Sequence, residues 1–210
     1  LITLNGSRYS YRLSSEDSSN YTSYFENYFL FSTLLHDYIK NNMLVRLSSW
    51  DLGWGQPLRW RDRFPRVKLD LGVKKISDLM REARIVVLTY NQTGFLEALS
   101  LGIPTILFCD LKVTPLRKIT IPYYTELKRV GIFHDTPESA AIHINTIWDD
   151  VDVHINFILL PLNVCGDFVI LTEGSEVVLR VNQVSMKRVY WLNFFSVHFQ
   201  NHTLSDTLFF

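Results

Sequence analysis

The chain has 210 residues, 47% hydrophobic and 20% charged, with Lys+Arg and Asp+Glu both 21 and a formal net charge of +0. This is the composition of a folded globular protein of one to one and a half domains, and it excludes a disordered chain. The balanced charge points to no nucleic acid and no anionic membrane, and two cysteines, Cys109 and Cys165, make neither a disulfide framework nor a metal cluster.

No apolar run reaches the ~20 residues that span a bilayer. The opening LITLNGSRYSYRL has no Met and no signal-peptide layout, so a fragment of something longer is expected. Cys109 sits in an apolar run and reads as a buried, inert thiol. Sequons at Asn5, Asn20, Asn91 and Asn201 read as chance matches.

Residues 1–23 are polar and Ser/Tyr-rich, with a short strand expected around SRYSYRL. From Tyr24 to Ile39 apolar side chains recur at helical spacing, and Asn41–Asn42 closes the pattern. MLVRLS reads as a short buried strand carrying Arg46. SWDLGWGQPLRWRDRFPR lacks periodicity and reads as a long loop, of the kind that is usually functional or mobile. VKLDLG is a weak strand, and KKISDLMREA a short helix with Ile76, Leu79 and Met80 on one face.

RIVVLTY is continuous and β-branched, as a central parallel strand should be. TGFLEALSLG reads as a helix capped by Gly102, and PTILFCD as the next strand with Pro104 at its opening. IPYYTELKRVG is a helix ended by a Gly, and IFH a very short strand. TPESAAIHINTIWDD begins with Thr136 as N-cap and Pro137 in the first helical position. Strand and helix alternate from about 65 to 150, which predicts an α/β fold with a parallel sheet covered by helices on both faces. After Asp152 the rhythm is lost. FVILTEGSEVVLRV reads as a hairpin turning at Glu173–Gly174–Ser175, in a tail that is irregular or β-rich.

Ligands of open α/β sheets bind beyond the carboxyl ends of the strands. TYNQTG stands at such an end, before a helix whose first N–H groups and dipole favour an anion. Asn91, Gln92, Thr93 and Gly94 could therefore meet a phosphate, and Glu97, one turn inside, could accept hydrogen bonds from sugar hydroxyls. The same Glu97 also reads as a simple capping charge. Arg46 is either a diphosphate ligand or half of a surface ion pair. Arg59 and Arg61 read as solvated loop charges, and Trp54 and Trp60 either stack on a ring or wall the loop from water. His134 ends a strand and is either a phosphate or proton-transfer residue or a satisfied structural imidazole. Ser139 lies in the first turn of the next helix, where it could meet a phosphate, beside Glu138, whose position the helix N-terminus explains. His143 and Trp148 read as packing residues. There is no HExxH, no DxD and no Ser/His/Asp grouping, and the adjacent Asp149 and Asp150 diverge on a helix. No metal site is expected.

FLEALSLGIPTILF resembles the LEALA-x-G-x-P-x-I segment in the C-terminal half of GT-B glycosyltransferases. The wider set LVRL, WGQPLRW, TYNQTGFLEALSLGIPTILF and IPYYTELKRVGIFHDTPESAAIHINTIWDDV resembles a family of transferases associated with bacterial surface-carbohydrate synthesis, over roughly residues 8 to 153. The resemblance implies a Rossmann-like, donor-binding half of GT-B type over 44–153. Residues 1–43 would be an N-terminal segment and linking helix, and 154–210 a divergent tail. It implies a nucleotide-activated donor and a carbohydrate acceptor as substrates, no cofactor, and Glu97 on the donor ribose. A cytoplasmic location, with peripheral membrane association through regions outside this sequence, follows from the same resemblance. Many retaining GT-B enzymes carry a second Glu about eight residues earlier, and here that position is Thr89. A closing Trp-rich helical segment is expected after IWDDV, whereas this chain continues HINFILLPLNVCGDFVILTEG, either as a mistranslated tail or as a lineage-specific extension. A noncatalytic ligand- or partner-binding domain, and a nucleotide-sugar epimerase of similar fold, stand as the other readings.

Overall fold

The computed structural model describes residues 1–4, 6, 8, 9, 18–112, 115–151, 169–173 and 176–180. Helix α1 (Ser18–Leu34) and the short α2 (Asp37–Asn41) precede strand β1 (Leu44–Arg46). Then follow α3 (Gln56–Arg63), β2 (Lys68–Asp70), α4 (Ile76–Glu82) and β3 (Val86–Leu88). The second half runs α5 (Thr93–Ser100), β4 (Thr105–Phe108), α6 (Ile121–Arg129), β5 (Phe133–His134) and α7 (Pro137–Ile147). Further along, β6 (Val169–Glu173) pairs antiparallel with β7 (Glu176–Arg180), with Glu173 opposite Glu176. The strand expected around 7–13 and the other readings of 154–210, Cys165 and Asn201 among them, lie outside the described residues.

β1 pairs with β2, β3 with β4 and β4 with β5, all parallel. Ile2 joins the two groups, bridging in parallel to Arg46 on one side and Leu88 on the other. Its N–H donates to Val87 O at 2.8 Å and Arg46 N–H donates to Leu1 O at 2.8 Å, so the N-terminal residues complete a ladder on both sides. Counting this segment as the first strand, the sheet order is 3-2-1-4-5-6, the order of a doubly wound dinucleotide-binding sheet. Residues 1–4 are thus a central strand, and α1 is a helix of the same core, not a link leading into it.

Side chains alternate across this sheet with the period of two that strands impose. Val45, Val87, Ile106 and Phe108 face one core, with Tyr28 and Phe31 of α1, Trp60 of α3 and Ile144 of α7. Ile2, Val86, Leu88, Leu107 and Phe133 face the other, with Met80 of α4, Phe95 and Ala98 of α5 and Leu127 of α6. The chain therefore changes sides between β2 and β3, which is where the strand order reverses.

Two elements differ from the sequence expectation. The pattern from Tyr24 to Ile39 is two helices: Asn145 of α7 accepts from His36 N at 2.9 Å and donates to Leu34 O at 2.9 Å, holding the chain open at the break. Within the expected loop, α3 forms because Pro57 sits in its first turn, where no N–H is missed, and Trp60 finds a fully buried seat. Trp60 stacks on Tyr28 with centroids 5.3 Å apart and meets Phe29 edge-on at 5.0 Å. Trp54 is buried too, 5.0 Å from Phe25. Both indoles wall the loop from water. Trp60→Ala should cost about 3–5 kcal/mol, seen as a lower denaturation midpoint in urea; an unchanged midpoint would show that the aromatic cluster does not carry this face.

Candidate functional site

The strand order reverses between the N-terminal strand and β3, and doubly wound sheets have their ligand crevice beyond the carboxyl ends of such a strand pair. Thr89, the first residue past β3, is 2% exposed. Its Oγ1 accepts from Leu4 N at 3.1 Å and donates to Ile2 O at 3.4 Å. Thr89 is thus a clamp across the two central strands. Gly6, on the neighbouring loop, passes so close to Tyr21 that a Cβ would fall 1.5 Å from its hydroxyl, and Trp54 Nε1 donates to Gly6 O at 3.0 Å.

Around this floor the loop and α5 stand as follows. Burial raises the Tyr90 phenol above its ordinary value, and the Arg46 guanidinium pulls it partly back, so Arg46 acts on this loop across the N-terminal strand. The Asn91 side chain hydrogen-bonds Tyr124 of α6, whose phenol is raised by burial. An amide held this way is a poor glycan acceptor, in keeping with a chance sequon. Gln92 and Thr93 are exposed at the N-terminus of α5, which has no side-chain cap. Gly94 backs onto β3: a Cβ there would lie 3.3 Å from Leu88 Cδ2. Thr93 and Glu97, four residues apart, share the face of α5 opposite buried Phe95 and Leu99.

Arg46 uses Nη1 for both of its partners, the Asp70 carboxylate and Lys74 O at 2.7 Å. Burial raises the Asp70 carboxyl, and the Arg46 hydrogen bond and charge more than reverse this, leaving it below its ordinary value. Both contacts are made through Nη1, and they fix the guanidinium against the β2 side. Of the other loop arginines, Arg59 Nε donates to Trp54 O at 2.8 Å, while Arg61 is exposed.

His134 and Ser139 meet each other rather than the crevice. His134 Nδ1 lies 3.2 Å from Ser139 Oγ and Nε2 lies 3.0 Å from Gly131 O. A carbonyl only accepts, so Nε2 carries the proton; the Ser139 hydroxyl faces two acceptors, Nδ1 of the neutral ring and Thr136 O at 3.0 Å, and shares its one proton between them. Burial lowers the His134 pKa from the ordinary 6.5, with the Gly131 carbonyl opposing and His143 adding to the fall. Gly131 has φ +79, and a Cβ on it would sit 2.7 Å from His143 Nε2, so only glycine closes α6 here. Thr136 caps α7 as expected, accepting from Ser139 N at 3.2 Å. β5 is two strands from β3, about 10 Å at the usual spacing. The sheet edge thus holds two groups: Arg46 with residues 89–97, and the His134–Ser139 pair. Asp110, just past β4, stands between them and accepts from Lys112 N at 2.8 Å. Sequence reasoning gave no role to it, nor to Gly6 or Tyr124.

A cavity of about 560 Å³ opens mainly at the other edge of the sheet. Met43, Leu44, Ile85 and Val86 line it at the amino ends of the strands, with Phe31, Leu35 and Ile144. Its lining is mostly apolar and centred on the edge opposite to where such sheets bind ligands, and it also takes in Glu82, Arg84 and, at its far end, Arg46.

Thr89→Val should cost about 1–3 kcal/mol, because it strands a buried backbone N–H, and Thr89→Ser should restore most of it; equal denaturation midpoints for wild type and the Val variant would remove the clamp. His134 should titrate below 6.5 by NMR. The unfolded chain then takes up protons more readily, so stability is full above pH 6.5 and falls as the pH drops through that value. Between pH 7 and 5 the loss should be smaller in His134→Gln, and an equal loss would show that another group carries it.

Neither a curated protein nor a solved structure gives a significant match to the chain. A family model described as LIC12162 family transferase matches residues 1–153. The match takes in the N-terminal strand that completes the sheet and ends just after the last helix that packs on it. With nearly three-quarters of its length matched, the chain belongs to the LIC12162 family of transferases.

Proposed function

We propose that this chain is the donor-binding portion of a GT-B-like glycosyltransferase. It would help move a sugar or polyol-phosphate group from a nucleotide-activated donor to a surface carbohydrate. One observation carries the reading: in a chain of a transferase family, the turn Tyr90–Gln92 and the N-terminus of α5 stand at the carboxyl edge of the sheet, at the reversal point of the strand order. The donor diphosphate lies against the uncapped N–H groups of Thr93 and Gly94, with Asn91 and Gln92 at the turn. Glu97, on the same face as Thr93, takes the ribose hydroxyls. Arg46, oriented by Asp70, offers its remaining nitrogens to the diphosphate.

The chemistry available here is neutralisation of the nucleotide leaving group by the helix dipole and a guanidinium. Thr89, buried and doubly hydrogen-bonded, supplies no nucleophile. The base that activates the acceptor is not among these residues. His134 and Ser139 enter as a second contact with the donor, once a ligand oxygen replaces one of their mutual hydrogen bonds. The reaction would take place in the cytoplasm, at the membrane surface where such acceptors are assembled.

A noncatalytic binding domain is the second reading, and the lost acid at Thr89 favours it. Thermal denaturation with a panel of nucleoside diphosphates tests the donor site. At a hundred times its dissociation constant a ligand adds about 2.7 kcal/mol, which raises Tm by roughly 5–10 °C in a domain of this size. Glu97→Ala and Thr93→Ala should reduce the shift. No shift with any nucleotide would remove the donor site. A full shift without turnover in the complete enzyme would favour the noncatalytic reading.

A further inference from the structure

A second, smaller cleft opens at the carboxyl edge beyond β1 and β2. It encloses about 190 Å³ and is lined by Ser48, Ser49, Trp50, Asp51, Trp54 and Leu71, among others. Its main wall is an ordered loop. Asp51 Oδ1 accepts from the N–H groups of Gly53, Trp54 and Gly55 at 3.0, 3.2 and 3.2 Å. Ser48 Oγ accepts from Trp50 N at 3.1 Å. On the β2 side Gly72, at φ +81, comes so close that a Cβ would lie 2.7 Å from Ser49 Cβ and 2.9 Å from its backbone N, so the two loops close on each other only because that residue is glycine.

On this fixed loop Trp50 is 77% exposed, although the chain buries Trp54 and Trp60. An indole held out on a tied-down loop loses the burial that Trp ordinarily gains, and it offers a flat, amphipathic face with little ordering entropy left to lose. Around it stand groups that suit hydroxyls: Asp51 Oδ2, which the loop contacts leave open, and the hydroxyls of Ser48 and Ser49. Among the described residues, neither Lys nor Arg is in the lining. Arg8 lies over the Trp54 ring at 5.4 Å and donates to Gly53 O at 3.3 Å, outside the cleft. The cavity is also below the ~300–1,000 Å³ of sites that take drug-sized ligands.

We propose that this cleft is a subsite for one uncharged pyranose ring, stacked on Trp50 and hydrogen-bonded by Ser49 and Asp51. The size admits a single ring, the missing cations disfavour a phosphate, and the indole with adjacent acceptors suits a ring that has a C–H face and an edge of hydroxyls. The cleft lies one strand from the reversal-point crevice and shares Trp54 with its floor. That the ring is the acceptor's terminal sugar rests on the transferase reading above; that the cleft binds a sugar does not.

Intrinsic tryptophan fluorescence of the full chain, titrated with methyl glycosides of common hexoses, N-acetylhexosamines and deoxyhexoses, tests this. At least one glycoside should give saturable binding with a dissociation constant on the order of millimolar, the range open to a ligand of about a dozen heavy atoms. Trp50→Ala should weaken it by about tenfold or more, with binding then followed by ligand-observed NMR, and Ser49→Ala should weaken it less. The nucleotide-induced Tm shift should be the same in Trp50→Ala and wild type. No saturable binding by any glycoside overturns the proposal. So does loss of the nucleotide shift in Trp50→Ala, which would make the indole a platform for the donor's base. Sugar binding that depends on Trp50, with no nucleotide shift in any variant, keeps the subsite and removes the donor site.

Discussion

The backbone of residues 1–3 is hydrogen-bonded on both sides, to the strand ending at Arg46 and to the strand ending at Leu88. Without it, β2–β1 and β3–β4–β5 would be two small sheets, each with a bare edge in the middle of the molecule. With it they are one sheet, and the reversal of strand order falls beside this segment. The crevice, the helices on opposite faces and the exit of TYNQTG toward a common edge follow from that one insertion. Thr89 secures it from the far end, since its hydroxyl serves the backbone of both Ile2 and Leu4.

That clamp limits the chemistry nearby. A carboxylate at position 89 would be buried against backbone carbonyls, without a cation, and would pay a large desolvation cost. The hydroxyl suits the place because it both donates and accepts. Charge is instead set at the rim: Glu97 on the outward face of α5, Arg46 across the N-terminal strand with Asp70 fixing its plane. Under the proposed reading such a site suits holding an anion better than attacking a carbon, and leaving-group stabilisation is the contribution it would make.

The second half of the sheet was legible because its strands are continuous apolar runs, β4 and β5 bounded by Gly, Pro or Asp and β3 by the polar turn that follows it. RIVVLTY and PTILFCD needed no tertiary context, and Thr136–Pro137 marks a helix start by itself. The first half was harder. LITL is four residues followed by a polar stretch, and nothing local says that it is central; only its two neighbours do. The break before α2 depends on Asn145, more than a hundred residues away. Helix α3 did leave a signal, Pro57 in the first turn with Trp60 and Phe64 four apart, but Gly, Trp and Arg obscured the period. Among the site residues, the turn and Glu97 were readable from their place after the best strand. That His134 and Ser139 would join each other, two strands away, required the register of β5 against β4.

That separation bears on how a ligand could use the edge. From the strand of Arg46 to that of His134 is about 19 Å at the usual spacing, with the crevice between. One small group cannot touch both ends, so an extended ligand or two separate ones must be involved if both take part. The two ends also differ in kind. Arg46 meets its two partners through Nη1 alone, whereas His134 has both ring nitrogens engaged within the chain. Engagement of Arg46 disturbs no internal contact, while engagement of His134 must replace the bond that ties the start of α7 to β5. Because α7 packs on α1, which follows the N-terminal strand, a ligand reaching His134 would load the same core that holds the crevice closed at its floor.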